Sequence, residues 1–317
     1  MTADLAAIRS ATAGLFGDLW HRYDDPLFEE SVGLFGRRFE ANGFDLRWFR
    51  GKRCLDIGCG GGRYTVAMAR LGARLAVGCD ISTSGLTDAA RRAEGLEAVR
   101  FLAASALGLP SREEAFDFVC CSGVLHHTPD PELGLRELAR VLRPGGRCYL
   151  LLYGTGGLRW PTVVRARPFA QALGYEAVDR AIQRAGLPAN KQRTFLDDLF
   201  VPIIEFFTWD QVREMLSAAG LQDAERWERG KLDHEESVSV QRAELEQLRL
   251  VFEKARAGAE EAGTARDAMA ARDAVAEALA QLDTAEQAFA AGRIDRGELA
   301  RTVFGEGHHR VLAVKGS

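Results

Sequence analysis

The stretch "LDIGCGGGRYT", residues 55–65, places four glycines within five positions directly after a short apolar run. Glycine has no side chain and adopts positive φ readily, so a loop of this kind lets the backbone approach a bound molecule closely. A turn that is merely tight would also need glycine. The residues around the loop are therefore needed to choose between these two interpretations.

Around the loop, strand-like and helical patterns alternate over residues 51–155. Short runs rich in Val, Leu, Cys and Ile are separated by stretches such as 132–142, in which leucines recur every three or four positions. Uninterrupted apolar strands that alternate with helices are typical of a parallel sheet with helices on both faces. The sequence therefore predicts an α/β core. Its strands are expected at Cys54–Ile57, Leu75–Cys79, Phe116–Cys121 and Cys148–Tyr153.

The composition is that of an ordinary globular protein of 317 residues, of which 47% are hydrophobic. A net charge of −4 gives no sign of an affinity for nucleic acid. We recognise no apolar run of membrane-spanning length and no secretory signal. The cysteines form no C-x-x-C pair, so we expect free thiols in the cytoplasm and no metal site. The cysteines are Cys54, Cys59, Cys79, Cys120, Cys121 and Cys148.

The spacing of the glycines does not match a dinucleotide-binding loop. After Gly58 and Gly60, such a loop would need a third glycine where Arg63 stands. The glycines instead form the pattern D-x-G-x-G-x-G from Asp56 to Gly62. This spacing disfavours a nicotinamide-dependent oxidoreductase, and it favours a ligand whose chain curls over the loop.

Four segments of the core follow one another at informative spacing. They are "LDIGCGGG" (55–62), "VGCDIS" (77–82), "FDFVCCSGVLHHTPDP" (116–131) and "LRELARVLRPGGRCYLLLY" (135–153). Together they resemble the class I S-adenosylmethionine-dependent methyltransferases that act on small molecules. The resemblance covers about residues 50–155. It implies a Rossmann-like, seven-stranded, mostly parallel sheet with helices on both faces, and S-adenosyl-L-methionine as the cofactor.

The resemblance gives the residues of the first segment distinct roles. Gly58, Gly60 and Gly62 allow the backbone to touch the methionine moiety of the cofactor. Asp56 holds the loop and faces the ammonium group of the cofactor. The alternative for Asp56 is that it only caps backbone amides in the interior.

The adenosine half of the cofactor is assigned to the next segments. Asp80 accepts hydrogen bonds from both ribose hydroxyls, unless it only caps the next helix, a role that Ser82 or Ser84 could fill instead. Ser105 and the Ala106 backbone contact adenine, although the family often has an acid where Ser105 stands. The alternative for Ser105 is that it caps a turn. The expected cofactor-binding residues are Asp56, Gly58, Cys59, Gly60, Gly62, Asp80, Ile81, Ser105, Ala106 and Ser122.

Methyl transfer from a sulfonium needs alignment and exclusion of water, whereas a base is optional. His126 and His127 follow the fourth strand, and ligands bind at the carboxyl ends of parallel strands. Histidine can deprotonate a hydroxyl or an ammonium group near neutral pH. We therefore expect His127 and His126 to be catalytic, together with Tyr23 from an N-terminal helical lid. The alternatives are hydrogen bonding within the loop for the histidines and helix packing for Tyr23.

The residues after the fourth strand also bear on the methyl acceptor. Methyltransferases that act on the amines of bases or on glutamine usually carry an Asn/Asp-Pro-Pro-aromatic motif there, and this chain has "CSGV" at 121–124. We therefore expect a small metabolite with an oxygen, nitrogen or carbon nucleophile. Residues 159–193 are locally basic, which predicts either a solvated helix face or a lid that attracts a carboxylate- or phosphate-bearing substrate.

The flanks of the core are predicted to be mainly helical. In the first segment Asp25 should cap a helix that Pro26 begins, and Thr264 with Asp267 resembles a capping box. The Ala-rich insertion is expected to pack on its own chain or to form a homodimer. The expected segments are an N-terminal helical lid (1–50), the cofactor-binding core (51–155), a helical substrate or lid region that returns to the sheet (156–235), the Ala-rich helical insertion (236–303) and a last strand of the core sheet (304–317).

Two functions remain open from the sequence. The first is an S-adenosylmethionine-dependent methyltransferase of a small metabolite, either neutral or anionic. The second is an assembly protein that binds S-adenosylmethionine without catalysis. Both need the intact glycine pattern, so only turnover distinguishes them.

Overall fold

The computed structural model describes residues 2–187, 189–228, 237–261 and 265–316. These residues form a seven-stranded sheet in the order β3-β2-β1-β4-β5-β7-β6. The strands are β1 (Arg53–Ile57), β2 (Leu75–Asp80), β3 (Val99–Ala103), β4 (Phe116–Ser122), β5 (Leu142–Tyr153), β6 (Leu221–Arg226) and β7 (His308–Lys315).

Strands β1 to β5 are parallel, so their carboxyl ends lie at one edge of the sheet. Strand β7 is antiparallel to both β5 and β6, and its first residues therefore lie at that same edge. The predicted mostly parallel, seven-stranded α/β fold is confirmed. Strand β3 escaped prediction because it is an edge strand with exposed positions such as Arg100, which weakens its apolar pattern.

Helices cover both faces of the sheet, as predicted. On one face, Leu135 and Leu138 of helix α5 (Pro131–Val141) and Leu216 of helix α9 (Trp209–Ala218) pack in the same buried cluster as Val119 of β4. The helices are α1 (Thr2–His21), α2 (Asp25–Ala41), α3 (Arg63–Arg70), α4 (Thr83–Arg92), α5 (Pro131–Val141), α6 (Arg159–Leu173), α7 (Tyr175–Arg184), α8 (Ala189–Phe200), α9 (Trp209–Ala218), α10 (Val238–Glu261), α11 (Ala265–Ala290) and α12 (Arg296–Phe304).

The opposite face is covered by an aromatic cluster from α2 and α3. Phe35 and Phe39 recur at helical spacing on α2, and both are buried against Phe118 of β4 and its neighbours. The helix begins one residue earlier than the sequence suggested. Asp24, and not Asp25, is its N-cap, because the Asp24 carboxylate accepts the backbone N–H of Leu27 at 2.8 Å.

The chain divides into two compact units. The first contains the sheet and comprises Met1–Tyr153, Pro202–Gly230 and His308–Ser317. The second comprises Gly154–Val201 and Lys231–Gly307, and its described elements are α6 to α8 and α10 to α12. The expected boundary at 235/236 and the expected cap at Thr264 lie outside the described residues. The other expected segment boundaries stay predictions.

Within the second unit, buried charges join three helices. Arg159 of α6 pairs with Asp198 of α8 and with Glu244 of α10, and Glu244 also pairs with Lys191. Arg167 donates to the backbone carbonyls of α8 and of the residue that follows it, and Arg165 pairs with Glu277 of α11. Much of the basic stretch 159–193 is therefore paired inside its own unit.

None of the helices in the described ranges combines the length and the apolar composition needed to cross a bilayer.

Candidate functional site

The loop between β1 and α3, residues 58–62, is called the glycine loop below. Gly58, Gly60 and Gly62 have φ of 66°, 51° and 83°, a region that favours glycine. A Cβ atom at Gly58 would overlap with the Val124 side chain, and one at Gly60 would overlap with the Trp20 indole. The loop therefore needs glycine for its conformation and also for the close approach of its neighbours.

Asp80, the last residue of β2, ties the glycine loop to the next strand. Its carboxylate accepts the N–H of Gly60 on one oxygen and the N–H of Ser82 on the other, both at 2.8 Å. The cap of α4 is Ser82, whose hydroxyl accepts the N–H of Gly85. The contact of Asp80 with the ribose hydroxyls stays a prediction.

Asp56 lies buried at the end of β1, beneath the glycine loop. The Thr65 hydroxyl donates to its carboxylate at 2.8 Å. Burial raises the pKa of Asp56 to about 7, although the Thr65 hydrogen bond and the charge of Arg63 act in the opposite direction. Its contact with the ammonium group of the cofactor stays a prediction.

The remaining residues of the expected cofactor set lie in four places along the chain. The backbone N–H of Cys59 donates to Cys79 of β2 at 3.0 Å, which joins the glycine loop to that strand. Ser105 accepts the N–H of Leu107 at 3.2 Å, so it does cap a turn, and its hydroxyl hydrogen is left to donate. Its role towards adenine stays a prediction. Ile81 follows β2, Ala106 is buried beside Ser105, and Ser122 ends β4.

The two predicted histidines lie in a short 3-10 helix, Leu125–His127, directly after β4. The Nδ1 atom of His127 lies 2.9 Å from the backbone carbonyl oxygen of Ile203. A carbonyl oxygen can only accept, so Nδ1 carries the hydrogen, and Nε2 is then the acceptor of the neutral ring. This fixes the tautomer that a general base requires.

His126 differs from its neighbour in hydrogen bonding. It is 0% exposed, and neither of its ring nitrogens has a hydrogen-bond partner among the described residues. Its ring stacks on Tyr153, with centroids 3.8 Å apart, and meets His127 edge-on at 4.2 Å. Burial holds the pKa of His126 well below its usual range, and the neighbouring His127 and His308 add to this effect. The ring is therefore neutral at physiological pH.

The two histidines belong to a cluster, the histidine corner, whose other members the sequence analysis did not predict. It consists of His126, His127, Tyr153, residues 202–207 and His308. Segment 202–207 donates the N–H of residue 205 to the carbonyl of His126 and that of residue 207 to the carbonyl of Tyr153, both at 2.9 Å. His308 pairs with Tyr153 across β7 and β5, and their rings stack at 5.1 Å. No local pattern marks these residues, because only strand register brings them together.

Tyr23 follows α1, and its ring packs on Trp20 at 5.0 Å. Its backbone carbonyl accepts a hydrogen bond from Arg92 of α4. From the same part of the chain, Phe16 contacts the ring of His127 at 5.5 Å. Helix α1 thus reaches both the glycine loop, through Trp20, and the histidine corner, through Phe16. A catalytic role of Tyr23 stays a prediction.

Comparison with known proteins gives matches to the core of this chain. Residues 55–150 match a family model described as a methyltransferase domain. The ubiquinone biosynthesis O-methyltransferase of Ralstonia nicotianae is 37% identical over 142 residues, which are 42% of this chain and 57% of that protein. The demethylmenaquinone methyltransferase of Clavibacter sepedonicus is 34% identical over 155 residues, which are 49% of this chain and 63% of that protein. The match therefore spans less than two thirds of either relative.

Among solved structures, the YcgJ protein from Bacillus subtilis superposes with a TM-score of 0.47 at 18% identity, over 91% of this chain and 99% of that chain.

Proposed function

We propose that this chain, whose residues 55–150 form a class I S-adenosylmethionine-dependent methyltransferase domain, transfers a methyl group to a hydroxyl oxygen of a small molecule. The observation that carries the proposal is the fixed tautomer of His127, which turns Nε2 into a proton acceptor at the carboxyl edge of the sheet. The printed name of one relative, an O-methyltransferase of ubiquinone biosynthesis, supports oxygen as the acceptor atom.

The residues of the glycine loop fit the cofactor that this domain uses. Positive φ at Gly58 and Gly60 shapes a loop whose backbone would face the methionine moiety, and the Asp80 carboxylate, which holds the N–H groups of Gly60 and Ser82, would accept from the ribose hydroxyls. When bound, the cofactor supplies a methyl group that its sulfonium charge already activates. The protein then has to align the acceptor, exclude water and remove one proton.

His127 is proposed as the group that removes this proton. The hydrogen bond from Nδ1 to the Ile203 carbonyl fixes the orientation of its ring. Nε2 would accept the hydroxyl proton as the oxygen attacks, and it would later release this proton to solvent. Burial in the histidine corner would keep competing water away from the acceptor.

An aromatic acceptor fits the side chains of the corner. Phe16 contacts His127, Tyr153 stacks on His126, and Phe206 lies against Tyr153, so aromatic rings surround the histidines. Both relatives are named for the biosynthesis or methylation of quinones, which are flat rings bearing oxygen. We therefore extend the proposal to a phenol or a hydroxylated quinone.

Three predictions from the sequence lie outside this proposal. We do not extend the proposal to an anionic substrate, because Arg159, Arg165, Arg167 and Lys191 already pair within their own unit. A homodimer formed through the Ala-rich insertion and a cytoplasmic location stay predictions. The free, buried thiols are consistent with a reducing compartment.

Labelled methyl transfer tests the proposed function. The protein is incubated with methyl-labelled S-adenosylmethionine and a panel of phenols, hydroxylated quinones, amines and carboxylates. We expect label on hydroxyl oxygens, together with inhibition by the demethylated cofactor. Label on amines alone would contradict the proposed acceptor atom. Cofactor binding without transfer to any compound would favour the non-catalytic alternative.

A further inference from the structure

The amino edge of the sheet, which lies opposite the edge with the glycine loop, carries a cluster of positive charges. Its members lie near the first residues of β1, β2 and β5. This cluster, the basic edge, consists of Arg50, Lys52, Arg53, Arg74, Arg143 and Arg147. Strand β1 spans five residues, so the basic edge and the glycine loop are roughly 16 Å apart.

A half-buried tryptophan contacts two of these cations. Trp48 lies in the short 3-10 helix Leu46–Phe49, before β1. The charged groups of Lys52 and Arg147 lie over its ring, 5.0 and 5.2 Å from the ring centroid. Arg74 is joined to Lys52, because its backbone N–H donates to the Lys52 carbonyl at 2.9 Å. The strand starts and the indole ring therefore bring these cations together before any partner binds.

Acidic side chains neutralise only part of the basic edge. Asp117, in the first residues of β4, pairs with Arg143. In the neighbouring 3-10 helix, Arg47 pairs with Asp45. Among the described residues, the two glutamates at 113–114 form no ion pair with the basic edge. Four of the six cations form no ion pair with any residue that the structure describes, namely Arg50, Lys52, Arg74 and Arg147. Like charges repel one another, so an unpaired cluster of cations in a chain of net charge −4 needs an explanation.

The chemistry of the basic edge fits carboxylates. Three of its four unpaired cations are arginines, whose planar guanidinium groups bind a carboxylate through two parallel hydrogen bonds. A membrane surface is usually bound by exposed apolar side chains together with basic ones. No large apolar side chain of the basic edge is exposed, since those exposed among the described residues are Leu5, Val164, Met269 and Phe289, on α1, α6 and α11. The net negative charge of the chain disfavours nucleic acid.

We propose that the basic edge docks an acidic segment of a partner protein, in which several Asp or Glu side chains follow one another closely in the sequence. Complementary charges of this kind accelerate association and fix the orientation of the partner. The glycine loop and the histidine corner lie at the opposite edge of the sheet, so a docked segment leaves both accessible. The basic edge is therefore an attachment site that is separate from the site of methyl transfer.

Fluorescence anisotropy of a labelled peptide of ten glutamates, titrated with the full chain, tests the proposal. We expect the wild-type protein to bind the peptide at low salt and to lose it as salt screens the charges. Arg50→Glu/Arg74→Glu replaces two attractive contacts by repulsive ones, so the affinity should fall about tenfold or more. The matched control, Arg249→Glu/Lys254→Glu, has the same net charge and changes two exposed side chains of α10, so it should bind nearly as the wild type does.

A wild-type protein that does not bind the peptide, or two variants that bind it equally, would overturn the inference. Vesicles of phosphatidylglycerol and a DNA duplex are titrated with the same proteins. Binding of either one without binding of the peptide, lost in Arg50→Glu/Arg74→Glu, would assign the basic edge to a membrane or to nucleic acid instead. The substituted side chains are exposed and lie away from the site, so methyl transfer should be unchanged in both variants. The test therefore does not depend on the proposed function.

Discussion

The glycine loop and the histidine corner lie at the same edge of one sheet. The residues of the first are close together in the sequence, whereas those of the second are far apart. The loop, Asp56, Asp80 and Ser82 all come from one strand-helix-strand passage of fewer than thirty residues, residues 56–82. The corner joins segments from 126 to 308. The first region is held together by side-chain-to-backbone hydrogen bonds within one passage, and the second by ring contacts and backbone hydrogen bonds between distant segments. This difference teaches that one edge of a sheet can combine a local motif with a cluster that only tertiary assembly brings together.

The largest loss of turnover is expected for a substitution in the histidine corner. His127→Ala should lower turnover by about 100- to 10,000-fold, because a general base contributes that much, while cofactor affinity changes little. Steady-state kinetics and cofactor calorimetry measure the two effects separately. The control is His21→Ala, whose side chain is 79% exposed on α1 and should leave turnover intact. Near-native turnover of His127→Ala would show that proximity and desolvation suffice.

In the region of the glycine loop, a substitution should instead lower the affinity for the cofactor. Asp80→Ala removes the acceptor of the Gly60 N–H and the expected ribose contacts. Cofactor affinity should fall roughly ten- to hundredfold, as for hydrogen bonds to a charged group worth about 1.5–3 kcal/mol. Calorimetry with the demethylated cofactor gives this value. Asp88→Ala on α4, which removes only the partner of the exposed His21 side chain, serves as the control. Equal affinity of the Asp80→Ala and Asp88→Ala variants would leave Asp80 with a structural role alone.

A smaller effect concerns the pH dependence of folding. The pKa of Asp56 is about 7 in the folded protein, mainly because of burial, and about 3.9 in an unfolded chain. Between these pH values the folded state holds a proton that the unfolded state has released. The contribution of Asp56 to the free energy of unfolding should therefore decrease as pH rises from about 4 to about 7, and level off above.

Asp56→Asn should remove this contribution to the pH dependence of the free energy of unfolding. Urea denaturation of the wild-type protein and the variant at several pH values between 4.5 and 8 compares the two. The stability of the wild-type protein relative to the variant should decline over this range. Parallel curves would mean that Asp56 is ionised in the folded state throughout.

The smallest effect on turnover is expected for Tyr23, which the sequence analysis assigned to catalysis as part of an N-terminal lid. Its ring packs on Trp20, which itself contacts the glycine loop. Tyr23→Phe keeps the ring and removes only the hydroxyl, so turnover should change far less than in His127→Ala. A loss as large as that of His127→Ala would show that the phenol takes part in the chemistry.

The glycine loop could be predicted from the sequence, whereas most of the histidine corner could not. The glycine loop was predictable because Asp56, Gly60 and Asp80 lie on successive elements, whose order fixes where they meet. Tyr153 and His308 were not predictable, since they meet only through the register of β5 with β7. Segment 202–207 carries no periodic pattern, and its role arises from backbone hydrogen bonds that any residue type can make.

The position of β7 has a consequence for the synthesis of the protein. Residues 154–307 separate β7 from β5, its neighbour in the sheet. Ribosomes add about 5–20 residues per second, so β5 waits roughly 8–30 seconds for its partner. During that time the nascent chain exposes the apolar edge of a long strand, which can pair with other chains. We expect the yield of folded protein to depend on the rate of translation over this stretch and on chaperones that cover the waiting strand.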